Sequence, residues 1–480
     1  MVIALDLGTS SARATLYDAR GRAVEGRFHQ VSYAPTTTAD GGVEHDPAAL
    51  LDAAVTCLDA VVRAARHEDV RAVGVTSFWH GLLGFDAAHH PVTPVFMWAD
   101  SRSAREAGLL RDALDEDALH ARTGCHLHAS YWPAKLRWLA RERPADVGRV
   151  ARWGSIGEHL EFTFFGDAAT GLSMASGTGL LDQEALRWDT EALAAAGIEA
   201  EHLFPLVSTR DGRRGLRAPW AGRWPALRSV PWFPAVGDGA ASNVGSDCVD
   251  ASRVALNVGT SAALRIVTES AAAPPRGLWR YRLDQRRALL GGATSEGGNV
   301  YAWCREVLRL PDDGAVERAL ANRAADAHGL TVLPFLAGER APGWRGDRRM
   351  AIAGLSLDTT ALDVAQAALE AVALRLVLVY ERLAPHASRD HRVVASGGAI
   401  SHSRVWTQML ADALGRTIHC SSEREATSRG AALLAFEALG ALPDVDAARA
   451  PLGEVVVPDA ARHARYRVAL ERHKRFDERV

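Results

Sequence analysis

Val2-Ile3-Ala4-Leu5-Asp6-Leu7-Gly8-Thr9-Ser10 runs directly into Ser11-Ala12-Arg13-Ala14-Thr15-Leu16-Tyr17, and the reading of this stretch decides the fold. Val2 to Leu5 is a short apolar run of the kind that fills a buried strand. Asp6 to Ser10 makes a turn, and Arg13 to Tyr17 reads as a second strand. Gly21 is the next turn signal, so a third strand near residues 23–33 completes a meander. Asp46-Pro47 opens a helix, with a side-chain cap followed by proline at the first helical position. Leu50, Leu51, Ala54, Val55, Leu58, Val61 and Val62 continue it at helical spacing. Val70 to Ser77 is a strand again. The order β-β-β-α-β predicts a mixed sheet with helical cover.

The opening is written a second time after residue 250. Val254-Ala255-Leu256 is a strand, Asn257-Val258-Gly259-Thr260-Ser261 a turn, and Ala262 to Val267 the returning strand. Gly8-Thr9-Ser10 with Arg13 and Gly259-Thr260-Ser261 with Arg265 match, except that the arginine is offset by one residue. Further on, 361–383 is a long apolar helix, 392–396 a strand ending in Gly397-Gly398, and 406–414 a helix. A strand at 417–420 and a helix at 426–439, stopped by Gly440, follow. The 480 residues are too many for one core at roughly 150 per domain. We therefore expect an α/β chain of two related domains, 1–245 and 246–480. Residues 210–234, crowded with Arg, Gly, Pro and Trp, are expected to form a surface loop region without chemistry.

Composition narrows the partners. Apolar residues are 48% and charged residues 24%, ordinary for a globular protein. The formal charge of −3 offers no general basic field for nucleic acid. No run approaches the ~18 apolar residues of a membrane helix, and Met1 lacks the basic leader of a secretory signal. Five scattered cysteines without a CxxC pair point to a reducing cytoplasm. Lys135 and Lys474 are the only lysines.

Asp6 through Arg13 has the parts of a phosphate cradle. Glycine allows close backbone approach, while the hydroxyls and N–H groups of Thr9 and Ser10 can bind phosphate oxygens. A carboxylate ending the preceding strand, Asp6, can hold Mg²⁺ against them. Two such hairpins facing each other would clamp a polyphosphate from both sides. Ser396-Gly397-Gly398-Ala399, between a strand and a helix, suits close approach of adenine or ribose. No P-loop GxxxxGK[ST] and no strand-associated GxGxxG occur. Asp238, among Gly237, Gly239, Ala240 and Ala241, is a carboxylate that an alcohol could reach, and so a candidate base. Trp79-His80 puts an aromatic face and an imidazole at a strand end. Asp100 and Arg102 form either a polar substrate contact or a local ion pair. His126 and His128 lack a third ligand at metal-binding spacing.

These pieces, in this order, resemble the FGGY family of carbohydrate kinases along nearly the whole chain. The residues that carry the resemblance are Asp6–Arg13, Trp98-Ala99-Asp100-Ser101-Arg102, Gly237-Asp238-Gly239, Gly259-Thr260-Ser261, and Gly397 through Trp406 with Gln408, Asp412, Leu414 and Gly415. The resemblance implies two ribonuclease-H-like, actin-like ATPase domains around a central cleft, and ATP-dependent phosphorylation of a sugar or sugar acid. It implies Asp238 as catalytic base and Asp6 at Mg²⁺. It assigns Gly8, Thr9, Ser10, Arg13, Gly259, Thr260, Gly298, Gly397, Gly398 and His402 to ATP, and Trp79, His80, Asp100 and Arg102 to the sugar. Thr123-Gly124-Cys125-His126-Leu127-His128 with Lys135, Gly297-Gly298-Asn299, and Leu333 through Trp344 are similar to the gluconokinase branch. The xylulokinase branch is almost as similar, but many of its members carry methionine where Trp79 stands. Gluconate is thus the expected acceptor, with Arg102 or Lys135 as the cation for its carboxylate, and a pentulose the alternative. A non-catalytic ATPase or sugar sensor would have no need of Asp238. The expected enzyme is cytoplasmic, without nucleic-acid or membrane partners, and a homodimer is its candidate assembly.

Overall fold

The computed structural model describes residues 1–270 and 272–480. A five-stranded sheet runs Val236–Gly237, Ala72–Ser77, Val2–Leu7, Ser11–Tyr17, Ala23–Ser32 in spatial order. Its last three members are the antiparallel meander; the other two lie parallel to Val2–Leu7 and to each other. The second sheet has seven strands, ordered Trp279–Arg282, Ala288–Thr294, Ala262–Thr268, Arg253–Val258, Arg392–Ser396, Ile418–Ser421, Leu452–Val456. Without its two edge strands it repeats the first sheet: an antiparallel meander followed by two parallel strands. The duplication of the opening hairpin is therefore a duplication of the whole sheet, as in two ribonuclease-H-like domains of an actin-like ATPase.

Helices cover both sheets. Pro47–Ala64 is capped by the Asp46 side chain, which accepts from the Ala48 N–H at 2.9 Å, and it buries Leu50, Ala54, Leu58 and Val61. Ala361–Leu383, with Thr360 and Asp363 as a capping box, is buried along most of its length. The two halves meet where Asp238–Gly245 crosses Ala426–Ala438, each helix following the last parallel strand of its sheet. A Cβ on Gly245 would lie 1.7 Å from the Ala426 carbonyl oxygen, and one on Gly430 1.8 Å from that of Ala241. Only glycine lets the two backbones come this close.

The long insertion between Ala72–Ser77 and Val236–Gly237 builds a lobe with its own core, including Leu119, Leu136, Leu139 and Leu193. It carries Trp79, His80 and Trp98. Within it, residues 210–234 depart from the expected surface loop. Ala218–Arg223 is a helix, and Trp224 and Trp232 are only 1% and 4% exposed. Their indoles stack on one another, and Phe164 meets Trp224 edge-on and Trp232 at a tilt, an aromatic block that anchors the segment against the first sheet. Among the described residues no helix is long and apolar enough to cross a membrane. All five cysteines are free thiols.

Candidate active site

Two neighbouring cavities share the second hairpin. The smaller, about 280 Å³, is lined by Thr9 and Ser10 from the first hairpin and by Gly259, Thr260 and Ser261 from the second. The larger, about 750 Å³, opens from Gly259 and Thr260 toward Gly298, Gly398 and His402, with Leu320, Leu369 and Trp406 as an apolar wall. The hairpins are built alike. The Gly8 N–H donates to the Ser11 carbonyl and the Gly259 N–H to that of Ser261, both at 2.9 Å. The Gly298 N–H, at the start of the Gly298–Val307 helix, donates to the Gly259 carbonyl at 2.7 Å. Gly397 takes φ +105°, and a Cβ there would stand 2.4 Å from the Val258 carbonyl oxygen, so the turn beside the large cavity requires glycine. Gly8, Arg13 and Gly397 do not themselves line either cavity.

Asp6 is 1% exposed. Its Oδ2 accepts from Arg13 Nη1 at 3.4 Å, while Oδ1 has no hydrogen-bond donor among the described residues. Burial pushes its carboxyl up to about 7, with Arg13 opposing and Asp238 adding to the rise. Arg13 Nε is also 3.7 Å from Glu425, which precedes the Ala426–Ala438 helix. A buried carboxyl oxygen without a donor, beside the first glycine hairpin, suits a hard cation or one of its waters. Asp238 opens its helix in the wall of the small cavity. Its Oδ1 accepts the Gly239 N–H at 2.7 Å. Burial raises its pKa, and the Arg265 charge pulls the other way.

Trp79 and His80 line the small cavity as well. Trp79 Nε1–H donates to the Ser173 carbonyl at 3.0 Å, and the indole covers Gly237 and Gly239, where a Cβ would fall 1.9 and 2.7 Å from the ring. His80 holds φ +68°, and its Nδ1 lies 2.5 Å from the Gly177 carbonyl. Burial drives its pKa well below the usual histidine value. The neutral ring donates through Nδ1, which leaves Nε2 as an acceptor.

Asp100 and Arg102 stand apart from both cavities. Arg102 Nε donates to Asp100 Oδ1 at 3.1 Å, its Nη2 lies 2.5 Å from Asp100 Oδ2 and from Glu44 Oε1, and its guanidinium lies 4.4 Å from the Trp138 ring centroid. The W-x-D-x-R spacing thus yields the local ion pair. Lys135 is equally committed: it is 2% exposed and donates to the carbonyls of His80, Met97 and Ser130 at 3.1, 2.7 and 3.0 Å. Neither of the cations expected for a carboxylate is free to take one. His126 and His128 pack on the Trp344 ring, at 4.9 and 5.4 Å between centroids.

The small cavity also contains residues that sequence reasoning missed: Arg265, Trp279, Tyr281 and Arg340, all from the second half, with Trp98 from the first. Trp279 and Tyr281 alternate along one strand and stack at 4.1 Å with 8° between planes. That period-2 aromatic pair was a readable signal. Arg265 had one too, in its one-residue offset from Arg13. The Arg340 guanidinium lies 5.2 Å from the Trp98 ring centroid.

The family described as FGGY family of carbohydrate kinases matches in both its parts, the N-terminal domain over residues 1–245 and the C-terminal domain over residues 254–439. A gluconokinase of Bacillus subtilis (strain 168) is 26% identical, over 94% of this chain and 90% of the relative. A glycerol kinase of Leptothrix cholodnii is 30% identical, over 93% of this chain and 92% of the relative. Among solved structures, the ligand-bound xylulose kinase of Lactobacillus acidophilus superposes with a TM-score of 0.90 at 25% identity, covering 99% of this chain and 97% of that one.

Proposed function

The chain belongs to the FGGY family of carbohydrate kinases, and from that premise we propose that it transfers the γ-phosphoryl group of ATP to a hydroxyl of a small sugar acid, gluconate in the first instance. One observation carries the reading: the two cavities join at Gly259 and Thr260, and Asp238 stands in the wall of the smaller. A nucleotide in the larger cavity would rest against Gly298, Gly398 and His402, with its phosphates between the hairpins. The acceptor would lie against Trp79, His80 and the Trp279–Tyr281 pair, a stack of aromatic faces that suits sugar C–H surfaces. Asp6, with its donorless oxygen, is the residue to hold Mg²⁺, which when bound spreads the charge of the phosphates.

In the reaction the acceptor hydroxyl gives its proton to Asp238, its oxygen forms the new bond to phosphorus, and the bond from the γ-phosphorus to the ADP oxygen breaks. Asp238 must be ionised to serve, and the nearby Arg265 charge favours that form. The neutral His80 accepts a hydrogen bond from a second hydroxyl and orients the acceptor. The enclosing walls keep water, a competing acceptor, away from the phosphoryl group.

Support for an acid comes from charge. The small cavity is lined by two guanidiniums, Arg265 and Arg340, against one carboxylate, Asp238. Likeness to the xylulose kinase favours a neutral ketose instead. The deciding assay follows ADP release and phosphorylated product with gluconate, D-xylulose and glycerol as acceptors. A clear preference for gluconate is expected, and a higher kcat/KM for a neutral acceptor overturns the acid reading.

A further inference from the structure

Buried arginines in this protein are normally satisfied. Arg287 is bound by Asp284 and Glu437 at 2.6–2.8 Å, and Arg375 by Asp477 and Glu339. Buried Arg340 and half-buried Arg265 are the exceptions on the small cavity. Among the described residues neither guanidinium has a hydrogen-bond or ion-pair partner, and the Nε of each is buried without an acceptor. Arg340 is only 7% exposed. Two guanidiniums that no side chain binds face one cavity with a single carboxylate, Asp238, and an anion arriving from outside would balance the surplus positive charge.

Both side chains are held in place. Arg265 owes its place along the strand to a difference in register between the hairpins. In the first, Arg13 pairs across the strands with Asp6; in the second, Asn257 faces Ala263, and Arg265 stands two residues further along the strand. Residues two apart on a strand share a face, so this step carries the arginine along that face, away from the Asp6-like position and toward Asp238 in the wall of the small cavity. It reaches Gly239, where a Cβ would lie 3.3 Å from its Cζ. Arg340 is fixed by its loop. The adjacent Glu339 accepts from Arg345 and Arg375 and from the Gly343 N–H, and Trp344 Nε1–H donates to the Gly277 carbonyl at 3.0 Å.

We infer that Arg265 and Arg340 form a two-point grip for a carboxylate on the acceptor, and that this grip makes the enzyme selective for sugar acids over neutral sugars. The inference rests on the sugar-acid reading above and adds the residues that enforce it. The hairpins already supply N–H and hydroxyl donors for phosphate, so the anion left for two guanidiniums is the acceptor's own. A planar guanidinium meets a carboxylate with paired hydrogen bonds. The substrate class is then an aldonate or related acid with its carboxylate on the arginines and a hydroxyl at Asp238.

The test compares D-gluconate with D-glucitol, the same carbon chain without the charge, and measures both binding and turnover. Binding is read without nucleotide from the fluorescence of the tryptophans lining the cavity. Turnover is read as kcat/KM for gluconate relative to D-xylulose. In the parent, gluconate should bind more tightly than glucitol. Arg265→Met and Arg340→Met should each weaken gluconate by about 10- to 100-fold and collapse the preference over the neutral sugar. Arg265→Lys and Arg340→Lys, which keep the charge, should retain part of it. Equal parental affinity for gluconate and glucitol, or methionine variants that weaken both alike, overturns the grip. So does a rise confined to the KM for ATP, which would assign the arginines to phosphate. Rapid gluconate turnover with KM unmoved by either methionine substitution removes the grip and leaves the gluconate reading. Arginine-dependent gluconate binding without turnover keeps the grip and removes the acid from the reaction.

Discussion

Asp238 and Asp6 are two acids near one cleft, and their surroundings set them apart. Asp238 faces the smaller cavity with one oxygen taken by the Gly239 N–H. Asp6 is buried behind the first hairpin with one oxygen unclaimed. Removing a general base from a phosphoryl transfer costs roughly 10²–10⁴-fold. Asp238→Asn should therefore lose about that much kcat while nucleotide affinity survives, as checked by ADP titration. Normal turnover would require another base. Asp6→Asn should instead raise the Mg²⁺ concentration needed for half-maximal rate, and a titration identical to the parent would remove Asp6 from the metal. The roles proposed for these two acids were legible because strand-end carboxylates among glycines leave few other readings. Asp100, Arg102 and Lys135 were not. A short spacing such as D-x-R reads the same whether the pair meets a ligand or itself, and Lys135 takes its three carbonyls from residues 80, 97 and 130. Arg340 lay within a stretch already noted for its family likeness, but its freedom depends on which partners Glu339 takes, and those lie up to 36 residues away.

At the level of elements, the opening hairpin told most because both of its copies are local: strand, Gly-Thr-Ser turn and strand fit within about twenty residues of sequence. The aromatic block of residues 210–234 was hidden for the opposite reason, since Trp224 and Trp232 find Phe164 more than fifty residues upstream. The crossing of Asp238–Gly245 with Ala426–Ala438 was equally hidden. Nothing in either helix alone says that Gly245 and Gly430 touch backbone of the other half. That crossing joins the halves and carries Asp238 at one end, so its closeness should matter to stability and rate together. Gly430→Ala puts a methyl 1.8 Å from the Ala241 carbonyl, and overpacking of this kind costs about 1–3 kcal/mol or more. Gly222→Ala, in the Ala218–Arg223 helix where a Cβ meets nothing within 4 Å, is the matched control. The first should lower both Tm and kcat, and the second should leave Tm level or slightly raised. Equal melting temperatures for the two would mean that the helices part at no cost.

Across the whole molecule, burial sets two groups of titrating side chains against each other. His120 and His159 are lowered to about 4 and His128 and His473 to about 3, in each case chiefly by burial, and His80 is lowered in the same direction. Below the ordinary histidine value of about 6.5 the unfolded chain takes up these protons and the native one does not. Their contribution to stability is present above that value and is lost as pH falls toward 4. The buried carboxyls act in the other direction. Burial raises Asp6 and Glu161 to about 7 and Glu296 to about 8. Between the ordinary carboxylate range and these values the native state holds protons that the unfolded chain has released. Their contribution is complete below about pH 4 and is lost as pH rises through 7 to 8. His45, His391 and His419 are lowered by burial as well, and Asp238, Asp412 and Glu425 raised, so near pH 5 the lowered histidines outnumber the raised carboxyls and unfolding takes up protons. The ligand-free protein should therefore lose Tm as pH falls from about 6.5 to 5, as thermal scans across that range would check. Glu296→Gln removes the carboxyl that titrates last. Because Glu296 opposes the histidines from the ordinary carboxylate range up to about 8, the Tm of that variant relative to the parent should rise from pH 5 to 8 and level off above it. A difference between variant and parent that does not change with pH would show that Glu296 is already ionised in the native state.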